Sequence, residues 1–253
     1  MGKDGNCFVR IKAVIAYDGT AYHGFQRQSP DREPSIQGTL EGALSKIGQA
    51  GEVLGAGRTD AGVHASGQVI AFNVDWRHSL DDLQRALNAT LPADIAVLEL
   101  EQTADTFHPR YDAVSRAYRY SICNTRVRNP FMMRYALHVP QELDVDAMRR
   151  ALAYAIGDHD FAAFGQPTMG ESTIRSMYRA EIVRDGLSIA IELQANGFLY
   201  RMVRRIVGTL IPVGRSEQTP EDFAEILKSA DPNRAGPAVT PNGLCLIEVN
   251  YGR

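Results

Sequence analysis

The sequence predicts a fold that mixes strands with helices in two halves of similar plan, and three observations predict it. Strand-like and helix-like stretches alternate along the first half, a second set of similar plan fills the second, and no linker rich in Gly, Pro or Ser divides them. The halves are therefore expected to share one sheet. Their division falls at residues 1–110 and 111–253, and the most unusual loop of the chain lies in the first half.

Phe8 to Tyr17 alternates and is rich in β-branched and aromatic residues, so it reads as a strand running into the turn Asp18-Gly19-Thr20. Ser35 is placed to cap a helix whose apolar face is Ile36, Leu40, Leu44 and Ile47 and which stops near Gly48. Gln68 to Val74 is the next strand, Ser79 caps a helix carrying Leu80, Leu83 and Leu87, and Ile95 to Leu100 is a third strand. The second set opens with a strand over Val114 to Cys123 and a helix over Asp144 to Ile156. A hairpin over Tyr178 to Leu193, turning at Asp185-Gly186, follows. Asn196 to Pro212 reads as a long helix, with Phe198, Met202, Ile206 and Leu210 on one side and Arg201, Arg204 and Arg205 between them. Thr219-Pro220-Glu221-Asp222 opens another helix with a cap, a first-turn proline and first-turn acids, and Leu244 to Tyr251 closes the chain as a strand.

With 253 residues, 44% of them hydrophobic, the chain can bury one large core or two modest ones. No apolar run approaches the length of a membrane-spanning helix, and Met1-Gly2-Lys3-Asp4-Gly5-Asn6 has no signal-peptide core, so the expected location is the cytoplasm. Asn6 also stands where a myristoylation signal needs Ser or Thr. Cys7, Cys123 and Cys245 lack the paired spacing of a zinc site, and their odd number argues against a disulfide framework; they are read as reduced and inert.

A net charge of -3 argues against an indiscriminate polyanion binder, but the cations are unevenly placed. Of 27 basic residues only four are lysine; the rest are arginine, whose planar fork suits bidentate phosphate contacts and stacking on bases. Residues 110–134 carry Arg110, Arg116, Arg119, Arg126, Arg128 and Arg134 against the single acid Asp112. A solvated, salt-bridged face is the ordinary fate of such a run, and nucleic-acid contact is the alternative that the local lack of acids favours.

Chemistry points to the loop Leu54-Gly55-Ala56-Gly57-Arg58-Thr59-Asp60-Ala61-Gly62-Val63-His64-Ala65. Small residues around three polar ones let backbone approach a ligand closely. An arginine two residues from a carboxylate can keep it ionised in a dry site, as a nucleophile or base requires. Taken alone, the pattern reads more readily as a glycine-rich turn with a surface ion pair. His64 fits an orienting or packing role better than an acid–base one, and His159-Asp160 has no second pair at metal-ligand spacing. Tyr118, alternating with Arg116 and Tyr120, reads on pattern as a core strand residue.

The run Gly57-Arg58-Thr59-Asp60-Ala61-Gly62-Val63-His64-Ala65 resembles the signature of TruA-type tRNA pseudouridine synthases in content and in place along the chain. Tyr17-Asp18-Gly19-Thr20 with Tyr22-His23-Gly24-Phe25-Gln26 resembles that family's N-terminal motif, and Arg116-Ala117-Tyr118-Arg119-Tyr120 its second active-site motif. His159-Asp160-Phe161 with Phe164, Phe198-Leu199, Met202-Val203-Arg204, Ile206-Val207-Gly208 and Gly243-Leu244 continue the order across nearly the whole chain.

The resemblance implies an α+β fold of two ferredoxin-like or RNA-recognition-like halves that share a mixed, mainly antiparallel sheet, with a positively charged central cleft holding Asp60. It implies that Asp60 is the nucleophile, that Arg58 helps displace the target nucleotide, that Tyr118 stacks on its base, that Arg204 pairs with the carboxylate and that Leu244 lines the pocket. Arg205 is assigned to the RNA backbone. The implied substrates are uridines at positions 38, 39 and 40 of the tRNA anticodon stem and loop, and the implied assembly is a homodimer. No cofactor or metal is expected, because turning uridine into pseudouridine involves no net redox change or group transfer. A non-catalytic RNA-binding protein and a cofactor-free RNA-base hydrolase are the other classes compatible with these features.

Overall fold

In the computed structural model, residues 8–27, 29, 33–167, 170 and 172–252 are described. The expectations that fell on Met1 to Asn6 and on Cys7 lie outside the described residues. The chain forms two compact units, Met1–Val114 with Leu246–Arg253, and Ser115–Cys245. The last strand of the chain thus counts mainly with the first unit.

The first unit is built on β1 (Val9–Tyr17), whose period-two pattern buries Ile11, Ala13, Ile15 and Tyr17 on one face. Helix α1 (Ile36–Lys46) starts where Ser35 Oγ accepts a hydrogen bond from the Gly38 N–H at 3.1 Å, and it buries Ile36, Leu40, Ala43 and Leu44. A two-residue strand, β2 (Leu54–Gly55), pairs with β3 (His64–Val74), which is antiparallel to β1. Helix α2 (Leu80–Thr90) has a reciprocal capping box between Ser79 and Asp82. The Ser79 hydroxyl, with Arg85 behind it, holds the Asp82 carboxyl below the usual carboxylate range. The capping box fixes where α2 starts, whereas burying Leu83 and Leu87 contributes about 1.5–3 kcal/mol apiece, so packing decides that α2 lies over the sheet. Strand β4 (Ile95–Gln102) completes the set, antiparallel to β1 on its other edge. Residues from Leu246 onward lie beside β3, so close that a Cβ on Gly67 would sit 2.2 Å from the Ile247 carbonyl oxygen.

The second unit is also α+β. Strand β5 (Ser115–Asn124) pairs in parallel with β6 (Leu137–Val139), and helix α3 (Val145–Ala153) is capped by the Asp144 carboxylate on the Ala147 N–H at 2.9 Å. The short β7 (Gly157–Asp160), β8 (Ile174–Asp185) and β9 (Ser188–Ala195) form an antiparallel set that β9 joins to β5. Asp185 already pairs with Ser188, so the hairpin turns at Gly186-Leu187, one residue later than the sequence suggested, with Gly186 at φ +54. Helix α4 (Met202–Gly214) is shorter than the predicted Asn196 to Pro212 at its start. The spacing of Phe198 to Met202 imitates a helix, but Arg201 adopts a left-handed φ of +60 and Tyr200 bridges to Gln166, which keeps residues 196–201 irregular. Helix α5 (Pro220–Ser229) has the expected cap: Asp222 accepts from the Thr219 N–H and hydroxyl, which holds its carboxyl low. Stacked Phe164 and Phe223 rings, 5.4 Å apart, join α5 to the turn after β7, and β10 (Leu244–Asn250) ends the element order.

The pairing is thus mixed and mainly antiparallel, as the family resemblance implied, with β5–β6 a parallel pair. Among the described residues, three strands have no sequence counterpart: β2, β6 and β7 are two to four residues long, too short to display a period. Cys123, which is buried, and Cys245 are thiols not joined in a disulfide.

Candidate active site

In the first unit, the loop between β2 and β3 carries Arg58 exposed, Thr59 buried and Asp60 half-buried, and His64, which opens β3, is buried. The segment that follows β1 wraps around this loop, so the two motifs of the first half are one structure. The Phe25 N–H donates to the Thr59 carbonyl at 3.0 Å, and the Gly62 N–H to the Tyr22 carbonyl at 3.3 Å. A turn closes within the loop, where the Val63 N–H donates to the Asp60 carbonyl at 3.1 Å. Tyr17 Oη and Thr59 Oγ1 are 2.8 Å apart and buried. From β3, the Gln68 side-chain amide donates to the Gly57 carbonyl at 2.8 Å.

Two glycines permit this approach. A Cβ on Gly19 would stand 2.0 Å from the Val63 carbonyl oxygen, and one on Gly24, at φ +100, would stand 2.8 Å from that of Thr59. His64 closes the loop: its Nδ1 lies 3.1 Å from the Gly19 N–H and 3.1 Å from Asp18 Oδ1. A neutral imidazole accepts the first contact at Nδ1 and a protonated one donates to the second, so His64 fastens the loop to the Asp18 turn in either state. Asp18 in turn accepts from the Thr20 N–H at 3.0 Å and the Thr20 hydroxyl at 2.6 Å. Tyr22 is tied to Asp94 at 2.6 Å; burial first, then that bond, pushes its hydroxyl well above the ordinary tyrosine range.

In the second unit, Tyr118 lies on β5, 9% exposed, with its ring edge-on to Phe198 at 5.0 Å. Arg204 lies in the first turn of α4 and donates from Nε to the Val239 carbonyl at 2.7 Å. The next carbonyl, that of Thr240, accepts from the Tyr120 hydroxyl at 2.8 Å. Burial pushes the Tyr120 hydroxyl up to about 12, partly offset by the Thr240 bond and the Arg204 charge. Leu244, 7% exposed, begins β10 just after Gly243, where a Cβ would meet the Tyr120 ring at 2.8 Å. Arg204, Tyr120 and the 239–244 segment are therefore one packed arrangement. Arg205 turns away from it and bonds the Pro232 carbonyl.

Arg119 is exposed but paired. Glu192, opposite it on β9, accepts from its Nε at 2.8 Å and also meets Arg179 at 3.2 Å. The acid missing from the basic segment's own sequence thus arrives from a neighbouring strand, while Arg126, Arg128 and Arg134 are exposed. His159 bonds the Ile156 carbonyl at 2.8 Å and Asp160 accepts from the Ala162 N–H at 2.9 Å, so both have structural work. Among the described residues no group of three or more His, Cys, Asp or Glu could hold a metal ion, and no helix is long and apolar enough to cross a membrane.

Tyr17, Asp18 and Thr59 stand in the motifs without a role read for them from the sequence, and Gln68 was read only as the start of a strand; the structure makes all four fastenings of the loop. A sequence profile described as tRNA pseudouridine synthase matches residues 13–112 and 151–252. A Brevibacillus brevis protein named tRNA pseudouridine synthase A is 42% identical over 96% of this chain and 99% of its own length. Proteins of the same name from Moorella thermoacetica and a Geobacter species are 44% and 43% identical, each over 95% of this chain and 99% and 98% of their own.

Proposed function

The chain belongs to the tRNA pseudouridine synthase family, and on that premise we propose that it isomerises uridine to pseudouridine at positions 38, 39 and 40 of the tRNA anticodon stem and loop. The observation that carries the reading is the loop of Arg58, Thr59 and Asp60, which lies within the matched residues and is fastened along its length by the segment that follows β1. A carboxylate on so restrained a backbone suits a reaction that needs one group held at one atom.

The reaction breaks the N1 to C1′ bond, turns the uracil and joins C5 to C1′. Asp60 is the nucleophile in this reading, and an ionised carboxylate can add to uracil C6, attack C1′ or take a ribose proton. A base within a stem must leave its stack to be reached, and Arg58, exposed beside Asp60, fills the space it vacates. Tyr118 stacks on the extruded uracil, an interaction worth about 1–3 kcal/mol. Arg204 pairs with the carboxylate in the working enzyme, and Leu244 forms an apolar wall of the base pocket. Arg205 is the weakest member of the set, because its guanidinium is already engaged with Pro232. The exposed Arg126, Arg128 and Arg134 suit phosphates, which position RNA without reading its sequence. No cofactor enters the chemistry, the enzyme acts in the cytoplasm, and it works as a homodimer.

Positional mapping tests the substrate. After incubation with unmodified tRNA, a pseudouridine-selective carbodiimide adduct should stop reverse transcription at 38, 39 and 40. Stops confined to another arm of the tRNA would contradict the anticodon assignment and leave the family membership intact.

A further inference from the structure

We propose that the Tyr17 hydroxyl is a positioning residue for the reaction: through its buried hydrogen bond to Thr59 it fixes the peptide units that aim the Asp60 carboxylate. The inference rests on the reading of Asp60 as nucleophile and adds to it the device that holds that nucleophile still.

Asp60 sits between two peptide units, and both are restrained. The preceding one ends in the Thr59 carbonyl, which accepts from the Phe25 N–H at 3.0 Å. The following one begins with the Asp60 carbonyl, which accepts from the Val63 N–H at 3.1 Å. With both planes set, the direction of the Asp60 Cα–Cβ bond is set as well. What keeps the Thr59 end in place is its side chain. Thr59 is 7% exposed and Tyr17 4%, and their hydroxyls meet at 2.8 Å across 42 residues of sequence.

Tyr17 can serve as the fixed point because it ends β1, the strand between β3 and β4. There it pairs with Ala65 on one side and Ile95 on the other. A strand hydrogen-bonded on both edges yields little, so the hydroxyl it carries is held to the sheet rather than to the loop. Its ring packs beside Phe25 at 6.5 Å, and Phe25 supplies the N–H that holds the Thr59 carbonyl. The same neighbourhood thus grips Thr59 by side chain and by backbone. Gly24, whose φ of +100 and nearness to Thr59 leave no room for a side chain, lets that grip close.

A loop released at Thr59 would keep its other fastenings at Gly62 and His64, so the fold and the RNA-binding arginines would persist. The Asp60 carboxylate, however, would spend less time where the reaction needs it. The effect should therefore fall on the chemical step and spare binding.

The test is a cycle of Tyr17→Phe, Thr59→Val and the double variant, read as the single-turnover rate at saturating enzyme, the tRNA dissociation constant and the melting temperature. Tyr17→Phe keeps the ring and removes one oxygen. We expect each single variant to lose about tenfold in rate, equal to about 1.4 kcal/mol of barrier, with tRNA affinity within about twofold. The double variant should be no slower than either single one, because both remove the same contact. Thr59→Ser, which restores the hydroxyl, should recover most of the rate. Should Tyr17→Phe fold poorly, the contrast between Thr59→Ser and Thr59→Val decides the matter. Losses that multiply in the double variant, or equal rates for Thr59→Ser and Thr59→Val, would overturn the proposal. Asp60→Ala, measured alongside, separates the two claims: if it turns over tRNA normally, the nucleophile reading fails; if it is dead while Tyr17→Phe is fully active, only the positioning claim fails.

Discussion

The candidate residues of the two units are held by opposite means. In the first unit, Asp60 rides on an irregular loop fastened by side chains, backbone groups and two glycines of the segment after β1. In the second, Tyr118, Arg204 and Leu244 stand on or at the ends of regular elements, and Arg204 is tied to a backbone carbonyl. A loop placed by many small contacts can lose its aim without losing the fold, whereas an element residue is part of the core and seldom changes one without the other. Substitutions in the first unit should therefore separate rate from stability. Those in the second should move the two together.

The sharpest form of that contrast is Asp60→Ala, for which turnover should be abolished while tRNA affinity stays within about tenfold, or 1.4 kcal/mol; a filter-binding titration beside a rate assay decides it. Gly24→Ala comes next. A side chain at φ +100, 2.8 Å from the Thr59 carbonyl, must displace the loop, so the rate should drop on the order of a hundredfold with the melting temperature lowered by only a few degrees. Gly208→Ala is its counterpart in the second unit, because a Cβ there would stand 1.9 Å from the Pro237 carbonyl oxygen. Unfolding in denaturant should show a loss of about 2 kcal/mol or more, with activity falling in proportion to the folded fraction. Arg204→Ala should lower both stability and rate, since it frees the Val239 carbonyl and removes a cation. The smallest effect belongs to Arg205→Ala: with its guanidinium engaged at Pro232, tRNA affinity should weaken by no more than about threefold.

Much of this was legible in the sequence for local reasons. Ser35, Ser79 and Thr219 announce helices by side chains that bond a backbone three residues away, and each caps the helix it was expected to cap, whereas Asp144, read only as the start of a helix, turns out to cap one that runs no further than Ala153. The start of α4 was not legible, because the interval from Phe198 to Met202 is helical in number while the left-handed Arg201 breaks the path between them. Phe198 packs against Tyr118 instead. The return of the last strand to the first unit leaves no trace in its own residues. At the site, the arginine and aspartate announce themselves because they share one loop. The Tyr17 to Thr59 bond does not, because a contact across 42 residues has no local signature. The same holds for Glu192, which pairs with Arg119 from a neighbouring strand while also meeting Arg179, and so gives the basic segment an acid that its own sequence lacks.

The most direct test of the account is tritium release from tRNA carrying C5-tritiated uridine, since C5 gives up its hydrogen when it bonds to C1′. Release with no free uracil is expected from the unaltered protein, and none from Asp60→Ala at equal tRNA occupancy. Free uracil in step with the reaction, or undiminished release from Asp60→Ala, would contradict the account.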